Sequence, residues 1–346
     1  MRGYKMRSIT IVLLPVLIFS SCASTGMVTA PPAWAKTTNG VATVYPRAQY
    51  IAQKGRGPDL AAAQNDGIAQ ISRWITSQIE TSQSSRLSIT GRNGETDESR
   101  QTTEETFVSS QTTLFAVRYA DSWYNKGEGQ WETVAYIDRK EAWTIYEPQV
   151  RQRADAFTKL FGAAEAEGEP FRQFFQYQRA QGYAEQELDP YFRFAGILYP
   201  QGARDFAEAR DLIAAIPQRI DRSRANAGIF VDCPVDLDGI AAAAVTGALS
   251  AEGFPVSRNR LAASAVCTVA VDEGRQTLPA GTFYTPTVSI TISGKSGDPL
   301  FSCAISAPER SGAVNPDLAK RRGYTALAGE IKKSFHGEFI ANSGNY

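Results

Sequence analysis

The chain has 346 residues, of which 43% are hydrophobic and 21% charged, and 36 Lys and Arg side chains balance 36 Asp and Glu side chains. This composition is that of a soluble globular protein, with enough length for two domains. The zero net charge and the lack of a Lys and Arg stripe interleaved with aromatic residues argue against nucleic acid as a partner.

The first 21 residues have the layout of a secretory signal peptide. A cationic start is followed by an apolar run over residues 9–19 and then by Ser20, Ser21 and Cys22. The run is too short to span a bilayer stably, and no later apolar run approaches the length of a membrane-spanning helix. We therefore predict a signal peptide over residues 1–21.

The ending Phe19-Ser20-Ser21-Cys22 resembles the lipobox of bacterial lipoproteins, with phenylalanine where leucine is usual. That resemblance implies that Cys22 becomes the acylated first residue of the mature chain and attaches it to a membrane. Because each buried methylene adds about 0.8 kcal/mol, two or three acyl chains hold a protein on a bilayer. A plain signal peptide cut near Cys22, or an uncut anchor, remains an alternative.

The rest of the chain predicts an α+β protein with two small sheet-plus-helix domains separated by a helical section. Residues 22–40 are small and contain proline, which is typical of a tether. The predicted segments are a tether over 22–40, an N-terminal α+β domain over 41–150, a helical section over 151–226 and a C-terminal α+β domain over 227–346.

In the N-terminal domain, residues 41–52 predict a first strand, which Gly55-Arg56-Gly57 would end. Asp59 is placed to cap a helix with an apolar stripe from Leu60. Further elements follow in chain order: a short strand at 87–89, a helix around 103–110, a hairpin of strands 114–123 and 131–138, and a long helix from Arg139.

These residues carry a resemblance to a known family. The Tyr45-Pro46 pair, the glycine break, the Ala-rich helix over 59–82 and the hairpin end over 131–139 resemble LPP-twenty-type bacterial lipoproteins. The resemblance covers roughly residues 40–150, and the family resembles part of a flagellar outer-ring assembly protein. It implies a small α+β domain attached to the outer membrane of a bacterium, with no established active site and only Cys22 as a functional residue.

The helical section contains aromatic stripes at helical spacing and a further apolar stripe that ends before Pro217, and its helices are interrupted at Asp189-Pro190, Tyr199-Pro200 and Gly202. Such stripes most often form core. The alternative is a peptide or glycan groove with four lining residues, Phe171, Phe175, Tyr177 and Tyr183.

The C-terminal domain has the predicted order β-α-β-β-β-α, which is a fold-level pattern and identifies no function. Its predicted strands cover 229–233, 265–272, 287–293 and 300–306, and its predicted helices cover 238–252 and 316–339.

Alternation along the strands places Cys233, Cys267 and Cys303 on the apolar face of one sheet. Three interpretations remain open: buried thiols that act as small hydrophobes, a disulfide between Cys267 and Cys303, and a metal or thiol site. The disulfide requires the two strands to be adjacent. No CxxC spacing supports the third interpretation.

Other catalytic chemistry has little support. His336, the only histidine, follows Phe335 in the last predicted helix and is expected at the surface. The carboxylate pairs Glu104-Glu105, Asp97-Glu98 and Asp236/Asp238 lie in polar stretches. The segment around Gly55 is too short for a dinucleotide fingerprint, and no Walker-type GxxxxGK[ST] motif is present.

The sequence thus favours a non-enzymatic lipoprotein that is bound to a membrane through its N-terminal lipid and has a binding or scaffolding role among envelope proteins. No cofactor or metal is expected. A role in assembling an envelope or secretion apparatus fits this hypothesis, and strand addition at a sheet edge is a suitable binding mode. The alternatives are a hydrolase of envelope polymers that uses a carboxylate pair and a small-ligand-binding lipoprotein.

Overall fold

A computed structural model describes residues 30–87 and 117–342. The protein mixes helices with several small sheets, so the predicted α+β class is confirmed. The described chain divides into two compact units: unit 1, with residues 30–71 and 117–136, and unit 2, with residues 72–87 and 137–342. The predicted signal peptide and Cys22 lie outside the described residues, as does the helix predicted around 103–110. The predicted domain boundaries stay predictions.

Helices and strands follow in chain order. The helices are α1 (Gly40–Val44), α2 (Leu60–Leu87), α3 (Arg139–Ala166), α4 (Pro170–Tyr183), α5 (Asp189–Leu198), α6 (Ala207–Asn226), α7 (Ile240–Ala251) and α8 (Pro316–Asn342). A π-helix (Ala184–Leu188) joins α4 to α5, and 3₁₀ turns occupy Ala33–Ala35 and Gly202–Phe206. The strands are β1 (Tyr50–Gly57), β2 (Arg118–Tyr119), β3 (Trp123–Asn125), β4 (Gln130–Asp138), β5 (Ile229–Asp232), β6 (Val256–Ser257), β7 (Ala265–Asp272), β8 (Gln276–Leu278), β9 (Gly281–Tyr284), β10 (Thr287–Gly294), β11 (Pro299–Ser306) and β12 (Ser311–Ala313).

Unit 1 is built on a sheet in the order β1-β4-β2, with β3 also paired to β4. Asp59 accepts a hydrogen bond from the Ala62 N–H and caps α2, as predicted. Helix α2 lies very close to the sheet: a Cβ on Gly55 would stand 2.1 Å from the Ala63 carbonyl oxygen, and one on Gly67 would stand 2.8 Å from Ala135 Cβ. Glycine is needed at these positions because any side chain would push the helix away.

The prediction of a first strand over 41–52 is wrong for its first half. Residues Gly40–Val44 form α1, and the strand runs instead from Tyr50 to Gly57, through the glycines that were expected to end it. Trp34 is only 4% exposed, and a Cβ on Gly40 would lie 2.3 Å from the Trp34 carbonyl oxygen. Tertiary packing of this tryptophan therefore overrides the β-propensity of the valines.

The face of the unit 1 sheet opposite α2 carries a buried ion pair. The Glu132 carboxylate is fully buried, with Lys54 Nζ 2.6 Å from its Oε2 and Arg56 Nε 3.6 Å from its Oε1. The Trp34 ring lies above Lys54, with 5.8 Å from Nζ to the ring centroid. Tyr45 extends this cover, since its ring lies 4.6 Å from that of Tyr136 on β4. Both faces of this sheet are thus covered.

The helical part of unit 2 begins where the sequence predicts. Asp138 accepts hydrogen bonds from the Lys140 and Glu141 N–H groups and caps α3. Arg139 is buried and donates to the Leu198 carbonyl at 2.9 Å, so it satisfies the C-terminal end of α5. Pro217 does not end α6, which continues to Asn226 because Ile216 and Ile220 are both buried on either side of it.

A five-stranded sheet in the order β11-β10-β7-β5-β6 forms the second half of unit 2. Alternate residues of β7, β10 and β11 are buried, and Phe301 of β11 packs on Phe335 and Phe339 of α8. Phe339 also contacts Phe171 of α4 and Phe254, so the helical section and this sheet share one aromatic core. The predicted β-α-β-β-β-α order is present, with β6, β8, β9 and β12 as additional short strands.

Candidate binding surface

Strand β11 is an edge of the five-stranded sheet, since β10 is its only strand neighbour among the described residues. Its sequence, PLFSCAIS, contains no charged residue. Ser302, Ala304 and Ser306 are exposed, whereas Cys303 and Ile305 are buried on the opposite face. A strand at a sheet edge without charges lacks the usual protection against pairing with another chain.

The register fixes which backbone groups of β11 are available. Thr287 lies opposite Ser306, and the Ala307 N–H donates to the Pro286 carbonyl at 2.9 Å. Because hydrogen-bonded and non-bonded pairs alternate in an antiparallel ladder, Ile305, Cys303 and Phe301 bond to β10. The N–H and C=O groups of Ser302, Ala304 and Ser306 therefore point away from β10, toward the open edge.

The sheet face beside this edge consists of small, uncharged side chains. Thr287 and Ser306 share a hydroxyl hydrogen bond of 2.9 Å across β10 and β11. Thr268, Ala270 and Ser289 continue the exposed face over β7 and β10. The outward backbone groups of β11 therefore lie beside a sheet face whose central exposed side chains are uncharged, with Asp272 at its end.

The disulfide hypothesis for Cys267 and Cys303 is wrong. Both cysteines are free, and β10 lies between their strands: Cys267 is opposite Ile292 and Cys303 is opposite Ile290. Two strand spacings alone separate the cysteines by about 9.6 Å, and their two-residue offset along the strands adds to this, so they are beyond the reach of a disulfide. Burial raises the pKa of each thiol to about 12, and burial also raises that of Cys233 to about 11, aided by Asp236. These thiols are unsuited to nucleophilic chemistry at neutral pH.

The remaining candidate residues do not converge. His336 is exposed, with 67% of its side-chain surface accessible, and its Nδ1 lies 2.8 Å from Glu252 Oε1. Asp236 accepts hydrogen bonds from the Ala241 and Ala242 N–H groups at the start of α7, whereas Asp238 pairs with Arg321. The pairs Glu104-Glu105 and Asp97-Glu98 lie outside the described residues. Within residues 30–87 and 117–342, no group of three or more His, Cys, Asp or Glu side chains is arranged to hold a metal ion.

The aromatic groove considered for the helical section is not formed. Phe171, Phe175 and Tyr177 are buried, and the Tyr177 hydroxyl donates to Glu165 at 2.8 Å. Burial, together with this hydrogen bond, raises the pKa of Tyr177 to about 12. Only Tyr183 is half-buried and partly accessible. The first three residues are core, as aromatic stripes usually are.

Strand β11 was predicted from the sequence, but its position at the edge of a sheet was not. Strand order depends on contacts between distant segments, which the pattern of one segment does not record. The absence of charge in PLFSCAIS was the available signal. Among the helices of the described residues, none is both long and apolar enough to cross a bilayer.

Comparison with known proteins gives no family. No family model matches the chain, and no curated protein matches it. A minor lipoprotein from Acinetobacter baumannii is similar over 32% of this chain and 94% of its own, with 16% identity and a TM-score of 0.25. A secreted protein from Helicobacter pylori is similar over 82% of this chain and 97% of its own, with 14% identity and a TM-score of 0.27. Both are bacterial proteins, and likenesses of this size assign no function. The LPP-twenty resemblance stays a prediction.

Proposed function

We propose that this protein is a lipid-anchored protein of the bacterial envelope and that its partners bind at the open edge of the five-stranded sheet. Acylated Cys22 holds it on a membrane, with the outer membrane favoured by the LPP-twenty resemblance. Strand β11 binds an extended segment of another envelope protein. The role is binding or scaffolding, without catalysis by this chain.

The anchor is supported by the cationic start, the apolar run and the small residues that precede Cys22. The buried position of Trp34 limits the tether to residues 23–32, which extend over at most roughly 35 Å at about 3.5 Å per residue. Unit 1 therefore stays near the membrane surface that holds the lipid.

The observation that carries the binding role is the uncharged edge of β11. Ser302, Ala304 and Ser306 direct backbone N–H and C=O groups outward, and no backbone partner for these groups occurs among the described residues. An incoming strand would pair with these groups and continue the sheet. The partner segment needs about five extended residues, few charges and small side chains on the face shared with Ser302 and Ala304.

The anchor is tested by labelled-palmitate incorporation and membrane fractionation of the wild type and Cys22→Ala. We expect label and membrane attachment in the wild type and the loss of both in Cys22→Ala. An unlabelled wild type would overturn the anchor without bearing on β11.

The binding edge is tested by placing a photo-crosslinking amino acid at Ser302 in the full chain in living cells. We expect a discrete adduct that disappears when Ala304→Pro is added, because proline removes one outward N–H and fills the edge with its ring. Ala270→Lys is the matched control, since Ala270 is also exposed on this face but lies on the interior strand β7. An adduct of twice the chain mass would identify a second copy as the partner. An adduct that persists in Ala304→Pro, or no adduct, contradicts strand addition.

A further inference from the structure

Arg153 of α3 has an unusual environment for an arginine. The carbon at the centre of its guanidinium lies 3.6 Å from the centroid of the Tyr191 ring, well within stacking distance. Its Nη1 donates to the Gln149 carbonyl at 3.2 Å, whereas its Nε is buried and has no hydrogen-bond partner within residues 30–87 and 117–342. The side chain is half-buried.

No carboxylate of the described residues pairs with Arg153. The neighbouring Arg151 differs in this respect, because its Nε donates to Glu147 at 2.8 Å. A guanidinium that is partly removed from water and lacks a counter-ion loses hydration without the compensation of an ion pair. An oxyanion would supply that compensation.

Tyrosines surround this guanidinium. The Tyr146 ring stacks on that of Tyr191, with 5.7 Å between centroids and 8° between planes. The Tyr146 hydroxyl donates to the Tyr191 carbonyl at 3.3 Å. Burial raises the pKa of Tyr146 and of Tyr183, and the Arg153 charge opposes both effects. Both tyrosines thus stay protonated at neutral pH and can donate hydrogen bonds.

The backbone beside Arg153 is also unusual. The π-helix Ala184–Leu188 separates Tyr183, the last residue of α4, from Tyr191 in α5. Such segments are rare and occur frequently at functional sites, where they change the direction of side chains within a helix. Here the π-helix lies between the two half-buried tyrosines.

We propose that Arg153, Tyr183 and Tyr191 form a binding site for an oxyanion, the carboxylate or phosphate group of a ligand. The guanidinium supplies the positive charge, and the Tyr183 hydroxyl supplies a hydrogen-bond donor. Glu187, whose charge also raises the pKa of Tyr183, repels an oxyanion there, so a singly charged group is favoured over a doubly charged one. The site is independent of the anchor and of the β11 edge.

The test is calorimetric titration of the purified full chain with inorganic phosphate and, separately, with acetate at constant ionic strength. We expect saturable binding of at least one probe, which identifies the phosphate or carboxylate source. Arg153→Gln should weaken that binding by about 10-fold or more, the loss expected for a hydrogen bond to a charged group. Arg151→Gln is the matched control on the same helix and should bind as the wild type does.

Absence of saturable binding of both probes to the wild type overturns the proposal. Binding that is equal in Arg153→Gln and Arg151→Gln overturns it as well. If circular dichroism shows that Arg153→Gln is unfolded, Arg153→Lys replaces it, since lysine keeps the charge but loses the planar donors. Unchanged affinity in Arg153→Lys then contradicts recognition by the guanidinium.

Discussion

The two main sheets of this protein differ in how many of their faces are covered by other parts of the chain. The unit 1 sheet is covered by α2 on one face and by the segment of Trp34 and Tyr45 on the other. The five-stranded sheet of unit 2 is packed on one face, whereas its other face carries small uncharged side chains at the central positions of β7, β10 and β11, with Asp232 and Asp272 at its margin.

The edge strands of the two sheets also differ, in the charged side chains that they carry and in whether their backbone groups have partners. Edge strand β1 carries Lys54 and Arg56, and the Arg56 N–H donates to the Asp66 carboxylate at 3.0 Å. Edge strand β11 carries no charge, and its outward groups at Ser302 and Ala304 have no backbone partner in the described part of the chain. Charges and caps on an edge prevent pairing with other chains. Of these two edge strands, β11 is therefore the better suited to pair with a partner.

The largest expected effect on stability concerns the unit 1 sheet, which is covered on both faces. Gly55→Ala should destabilise unit 1 by about 3 kcal/mol, because the new Cβ would meet the Ala63 carbonyl and force α2 off β1. Urea unfolding of the variant and the wild type measures the difference. Gly162→Ala is the control: it lies in α3 with no atom within 4 Å of its Cβ position, and it should stabilise the protein by about 0.5–1 kcal/mol. Equal stability of Gly55→Ala and the wild type would show that α2 does not pack so closely.

A smaller effect concerns the buried charge under Trp34. Glu132→Gln should cost about 2 kcal/mol, less than the roughly 3–5 kcal/mol of a fully buried pair, because the Lys54 side chain is 29% exposed and can turn toward water. Glu128→Gln removes an exposed partner of Arg56 and should change stability by less than ~0.5 kcal/mol. Thermal unfolding of both variants compares them. Similar losses of stability in both variants would mean that the burial of Glu132 does not stabilise the sheet face covered by Trp34.

Local patterns predicted much of the fold. Asp59 was predicted as a helix cap, and a capping carboxylate lies within three residues of the N–H group from which it accepts a hydrogen bond. The start of α3 was predicted at Arg139, directly after Asp138, which caps it. Strand β7 was predicted with its observed bounds, since alternation and flanking turn residues are local as well. These features depend on neighbours in the sequence.

The errors came from contacts between distant residues. Gly55 was taken for a strand break, yet its missing side chain accommodates Gly67, twelve residues away on α2. The Cys267–Cys303 hypothesis failed because β10 lies between their strands, which no local pattern reveals. Arg153 gave no sequence signal for the same reason: its stacking partner Tyr191 lies on another helix.

The smallest expected effect tests the open edge itself. Ala304→Pro should cost less than ~1 kcal/mol, because the N–H that proline removes points away from β10 and a proline is tolerated at such edge positions. The adjacent Cys303→Pro provides the comparison, since its N–H bonds to β10 in the same register, and its loss should cost about 2 kcal/mol or more. Denaturant unfolding compares the stabilities of the two variants and so tests which residues of β11 bond to β10. If Ala304→Pro were the more destabilising of the two, the outward groups would belong to Cys303 and Ile305, whose side chains are buried against α8. A partner strand would then pair in the opposite register, and the proposed role of Ser302 and Ala304 would be wrong.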